Sequence, residues 1–173
     1  MFELKRLSPA AIPTALAKAE RYRLLNEPWE AESICLDVLL TDPENQDAVV
    51  MLILALTDAF GDSPGVDKTR PTEVLSRHRD PYARHYYAGL IHERWAQALV
   101  AKGVPGHVSQ SWIREAMREY EKAAADSPAG NEEAILRWNA CVRFIQREER
   151  LESRASDVKM TSEASHGDEM PLR

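Results

Sequence analysis

Two stretches of this sequence share one spacing of small residues, a larger residue and a proline. The stretches are Ala31, Cys35, Val38 and Pro43, and Ala116, Tyr120, Ala123 and Pro128. Small side chains at helical spacing let two antiparallel helices approach closely, and the larger side chain fills the space beside the neighbouring helix. Because the proline separates one helical hairpin from the next, the spacing predicts a repeated helix–turn–helix unit.

This pattern resembles the tetratricopeptide repeat family, whose unit of 34 residues is a helical hairpin. A first unit at residues 12–45 adds the small–aromatic pair Ala19 and Tyr22, whereas the middle unit matches weakly because its second helix is short. The resemblance implies an all-α fold, a tetratricopeptide-like α-solenoid of about three helical hairpins plus a C-terminal cap helix, over residues 1–151. An unrelated helical bundle is the alternative fold.

Helix start signals divide the chain clearly. An N-cap residue precedes proline at Ser8-Pro9, Asp42-Pro43 and Asp80-Pro81, and Ser109 and Asn131 are further candidate starts. We expect helices at about 9–26, 28–41, 43–60, 71–79, 81–102, 109–126 and 131–151. The apolar run 48–56 is too short to cross a membrane and predicts a central buried helix. Residues 152–173 are polar and serine-rich, so we expect a disordered tail there.

Charge and cysteine content argue against several classes of function. With 22 basic and 28 acidic residues, the formal net charge is −6, which argues against nucleic acid as the partner. The two cysteines, Cys35 and Cys141, lack metal-binding spacing, so we expect both in the core. The N-terminus lacks the apolar segment of a signal peptide, and the expected location is cytoplasmic.

The sequence contains no recognised catalytic motif, so we expect no catalytic residue, cofactor or metal. His85 and His92 are separated by about 10.5 Å along a helix, too far apart to share one metal ion. The region between Arg70 and Arg94 is nevertheless rich in arginine, histidine and aromatic residues. Arginine and aromatic side chains often anchor protein interfaces, so this basic region is a candidate docking surface.

We therefore expect a non-catalytic adaptor or scaffold that binds a protein or peptide, with an acidic peptide as one option. The family resemblance implies a concave groove lined by the first helix of each hairpin. Its candidate partner-binding residues are Arg84, His85, His92, Arg94, Trp95, Asn139 and Arg143. The family's carboxylate clamp is not matched, because Leu16, Glu20 and Met51 occupy its positions.

Three other functions stay open at this point. A small acidic secretion chaperone of the tetratricopeptide type would need an apolar groove for its client. An enzyme would need a polar pocket between the inserted loops at 61–70 and 102–108. Self-association through the apolar helix would require that the short helix at 71–79 leave it uncovered. The sequence does not define the oligomeric state.

Overall fold

Helices account for all the regular secondary structure in the described part of the computed structural model, residues 2–61 and 66–165. Side chains are described there except at 152 and 155–165. The α-helices are α1 (Ile12–Leu24), α2 (Pro28–Thr41), α3 (Gln46–Asp58), α4 (Thr69–Leu75), α5 (Pro81–Ala101), α6 (Gly106–Ala125) and α7 (Glu133–Ser165). Short 3-10 turns occupy Pro9–Ala11 and Ala59–Gly61. The prediction of an all-α fold is confirmed for these residues.

Two of the predicted helix starts show how cap chemistry sets a boundary. The prediction at Asp80 is confirmed, because its carboxylate accepts a hydrogen bond of 3.1 Å from the backbone N–H of Ala83. The prediction at Pro43 is wrong, because α3 begins three residues later. There the side chain of Asn45 accepts a hydrogen bond of 2.9 Å from the N–H of Ala48 and satisfies a free donor of the first turn.

The boundaries of α6 and α7 also differ from the predicted ones. Ser109 lies inside α6, and its hydroxyl donates to the carbonyl of Gly106 at 2.8 Å instead of capping the helix. α7, which we expected to end near 151, continues to Ser165. Several residues of 152–165 are good helix formers, which favours this continuation. Residues 166–173 of the predicted tail lie outside the described residues.

The helices pack mainly on their neighbours in the chain, and α3 lies between α1 and α5. Contacts join α1 to α2, α2 to α3, α3 to α4, α4 to α5, α5 to α6 and α6 to α7, and α3 also contacts α1 and α5. The apolar run supplies the buried residues Val49, Leu52, Ile53 and Leu56. The short α4 packs against α3, so this apolar helix is covered within the chain.

Both repeated stretches contribute to the core. Six of their residues are fully buried: Ala31, Cys35, Val38, Ala116, Tyr120 and Ala123. Buried residues form two clusters, a larger one under α1 to α5 and a smaller one shared by α5, α6 and α7. The cysteines are buried and free, and burial raises the pKa of both thiols to about 12. Each therefore packs as a small apolar side chain.

Candidate functional site

Two of the predicted binding residues, His85 and His92, face α6. His85 Nδ1 is 2.7 Å from a carboxylate oxygen of Glu119. The ring of His92 stacks on that of Trp112, with centroids 5.4 Å apart. Burial, followed by the nearby charge of Lys68, lowers the pKa of His92. Both histidines are therefore engaged within the hairpin formed by α5 and α6.

Arg94 points in another direction, because two residues of helix turn the side chain by about 200° relative to His92. Its Nη1 lies 2.5 Å from Asp58 Oδ1 and also donates to the hydroxyl of Thr57 at 2.7 Å. The other carboxylate oxygen of Asp58 lies 2.7 Å from Arg23 Nε. One acidic side chain of α3 thus binds guanidinium groups from α1 and α5. Arg94 connects helices and is already paired.

Two other arginines of the basic region are also paired with carboxylates that lie earlier in the chain. Arg70 Nη2 is 2.5 Å from Glu32 Oε1, and Arg79 forms an ion pair with Glu44. The ion pair of Arg70 joins α4 to α2, and that of Arg94 joins α5 to α3. The ion pair of Arg79 joins the segment before α5 to the segment before α3. The region between Arg70 and Arg94 therefore does not form one free basic surface, and most of its charge is balanced internally.

The remaining predicted residues are dispersed. Trp95 packs edge to face on Phe60, with ring centroids 5.4 Å apart. Arg84 is exposed and forms no ion pair with any described residue. Asn139 lines a small apolar cavity of about 310 Å³ between α6 and α7, beside Trp138. The structure does not bring these three residues together with the histidines.

Arg143 lies in a different place, an open groove of about 770 Å³ between α5 and α7. The lining residues are Glu93, Gln97, Val100 and Ala101 from α5, and Ala140, Arg143, Phe144, Arg147 and Arg150 from α7. Their spacing of three, four or seven residues places each set on one helical face. Alanines on both walls keep the groove open, and we call it the α5–α7 groove.

The floor of the α5–α7 groove is a buried, hydrogen-bonded carboxylate. Glu93 is only 4% exposed. It accepts hydrogen bonds from the hydroxyl of Tyr120 at 2.6 Å, from Gln97 Nε2 at 3.2 Å and from Arg137 Nη1 at 3.5 Å. Burial, followed by the charge of Glu93, raises the pKa of Tyr120, so the hydroxyl stays protonated and donates. These bonds hold the floor rigid and balance its charge.

A line of arginines, which we call the arginine row, runs along α7: Arg143, Arg147, Arg150 and Arg154. The first three line the groove, and Arg154 continues the line beyond it. All four are exposed and lie four, three and four residues apart, along one face of α7. The guanidinium of Arg147 lies 5.2 Å from the ring centre of Phe144, and its Nε is 3.3 Å from Glu148 Oε1. Arg143 and Arg154 have no ion-pair partner among the described residues.

Sequence reasoning identified only Arg143 among these residues. The segment RFIQREERLESR is typical of a solvated cap helix because acidic and basic residues alternate closely in it. The regular spacing of its arginines was the available signal. That spacing indicates a binding groove only once α5 is known to lie opposite α7. On a fully solvated helix, the same arginines would face water and would not line a groove.

Three further observations bear on the class of site. The described residues hold no group of three or more histidine, cysteine, aspartate or glutamate side chains that could bind a metal ion. None of the described helices combines the length and the apolar character needed to span a bilayer. Comparisons with protein-family models, curated proteins and solved structures found no match.

Proposed function

We propose that this chain is a non-catalytic binding module, built as a tetratricopeptide-like array of helical hairpins, which holds a segment of a partner protein in the α5–α7 groove. The pattern of helix contacts supports the array. Neighbouring helices pair in sequence, and the first helices of successive hairpins also pair, as α1 with α3 and α3 with α5. Contacts restricted to near neighbours are typical of stacked repeats. Two separate core clusters agree with this arrangement.

The observation that carries the binding role is the α5–α7 groove itself. Its floor is held by the hydrogen bonds of Glu93, and its walls combine aliphatic surface with arginines. A groove that is already formed loses little conformational entropy when a ligand binds. The arginines favour an adaptor over the secretion chaperone, for which a purely apolar groove is expected. A cytoplasmic location stays a prediction.

A bulky side chain in the groove provides the test. Ala101 is exposed, lines the groove and is the last residue of α5, whereas Ala125 is exposed, lies outside the groove lining and is the last residue of α6. Affinity purification from the native cell should recover a partner with the wild-type chain and with Ala125→Trp. We expect Ala101→Trp to recover about tenfold less of it, because the indole occupies the site.

Ala101→Trp and Ala125→Trp form a matched pair of variants, one inside the groove and one outside it. Both variants should keep the wild-type circular dichroism and thermal midpoint, since both alanines are exposed at helix ends. If the two variants and the wild type recover the same partner equally, the α5–α7 groove is not its binding site. If Ala125→Trp alone loses the partner, the binding surface lies near the end of α6.

A further inference from the structure

Two arginines of the row, Arg143 and Arg147, have nearly the spacing of acidic side chains at alternate positions of an extended peptide. Arg143 and Arg147 are separated by about 6 Å along the axis of α7. Alternate residues of an extended chain are about 6.8 Å apart and point to the same side. Each exposed guanidinium can form a two-pronged pair with a carboxylate. A segment lying along α7 would therefore place acidic side chains two residues apart against these arginines.

The opposite wall of the groove favours small apolar side chains. Val100 and Ala101 of α5 face the groove, and Phe144 contributes its ring from α7. Successive side chains of an extended chain point in opposite directions, so the residue between two acidic ones would face α5. Among the described lining residues, Glu93 is the one carboxylate, and it already accepts three hydrogen bonds. It therefore does not act as an unpaired repulsive charge.

We infer that the ligand of the α5–α7 groove is an extended segment with acidic residues at alternate positions and small apolar residues between them. This inference rests on the proposed function and specifies the chemistry of the partner. Arg143 and Arg147 bind two successive carboxylates, and Arg150 extends the site for a third. Val100 and Ala101 contact the side chains between them.

The probe is a fluorescein-labelled peptide, Gly-Glu-Val-Glu-Val-Glu-Gly, titrated with the full chain and followed by fluorescence anisotropy. We expect it to bind about tenfold more tightly than the same peptide with lysine in place of glutamate, because each guanidinium–carboxylate pair is charge-assisted. A peptide with its three glutamates in succession should bind more weakly than the alternating one. Tighter binding of a helix-forming peptide with glutamates four residues apart would overturn the extended geometry.

The chain offers a matched control for the arginines. Arg114 and Arg118 lie four residues apart on α6 and are both exposed, as are Arg143 and Arg147 on α7. Replacing Arg143 and Arg147 with glutamate should weaken binding of the alternating peptide by about tenfold or more. Replacing Arg114 and Arg118 with glutamate should leave this binding unchanged. The milder Arg143→Gln, Arg147→Gln pair should show the same loss. Circular dichroism of each variant checks that it folds.

The failures of the two proposals are distinguishable. If Ala101→Trp loses the cellular partner but reversal of Arg143 and Arg147 leaves its capture unchanged, the groove binds and the acidic segment is the wrong ligand. If neither change affects capture, the groove itself is not the site. A single-stranded RNA that binds more tightly than the alternating peptide, and depends on the same arginines, would also overturn the inference.

Discussion

Replacing Gly89 with alanine should destabilise this protein, although alanine is the better helix former. Gly89 lies in the middle of α5, facing the ring of Tyr120 on α6. A Cβ added there would lie 2.7 Å from Cε1, 2.8 Å from Cδ1 and 3.0 Å from Cζ of that ring. Carbon atoms in favourable contact are about 3.5–4.0 Å apart. The ring or a helix must therefore move by about 1 Å.

The surroundings of Tyr120 determine the size of the effect. The residue is fully buried, and its hydroxyl donates to Glu93 at 2.6 Å, so the ring cannot retreat without breaking that bond. Inserting an extra carbon into a packed core costs about 1–3 kcal/mol, and the better helix propensity of alanine offsets about 1 kcal/mol. We expect a net loss of up to about 2 kcal/mol, or up to about 8 °C in the thermal midpoint.

Urea and thermal denaturation followed by circular dichroism measure this loss. Gly61→Ala is the control, because a Cβ there meets no described atom within 4 Å, and we expect a change within about 0.5 kcal/mol. In a double variant, Tyr120→Leu removes the ring, so the further cost of Gly89→Ala should shrink. If Gly89→Ala alone raises the free energy of unfolding, as it would at a helix position without a close neighbour, then Gly89 of α5 does not pack against Tyr120 of α6.

Three further predictions test the internal contacts. Arg94→Gln should lower the free energy of unfolding by about 2 kcal/mol, since it breaks charge-assisted hydrogen bonds. The exposed Arg84→Gln should change it by no more than about 0.5 kcal/mol. Equal losses for the two variants in urea denaturation would contradict the ion-pair network. Tyr120→Phe should cost about 1–3 kcal/mol because Glu93 loses a buried donor, and an unchanged urea midpoint would show that this bond adds nothing. The pKa of folded His92 lies below 6.5, so the unfolded state binds more protons and stability falls as the pH drops below about 6.5. His92→Phe should reduce this fall, and parallel pH profiles for the two proteins would contradict it.

Local signals in the sequence predicted the helices well. Proline and an N-cap residue act on the first helical turn, so Asp80 could be recognised from its immediate neighbours. The same reasoning failed at Asp42, where Asn45 takes the cap position. Either residue can cap a helix, and the choice between them depends on the path of the chain leaving α2. Such ambiguity moves a boundary by a few residues without changing the order of helices.

The site was harder to predict than the fold. Six of the seven residues expected to bind a partner are outside the α5–α7 groove lining, and only Arg143 belongs to it. The arginines of the basic region seemed unpaired in the sequence because the carboxylates that pair with them are distant along the chain. Asp58 lies 36 residues before Arg94, and no local pattern indicates that the two will meet. Charge density in a sequence does not distinguish an ion pair from an unpaired charge.

The amino-acid sequence by itself determined that the described chain is helical, where most helices lie and which small residues are buried. These properties follow from caps, prolines and periodicity, which act over a few residues. Only the tertiary structure decided which charges are paired and which remain open to a ligand. Arg94 became a connection between helices, whereas Arg143 came to line a groove opposite α5, because helix stacking brings residues distant in the sequence to within a few ångströms.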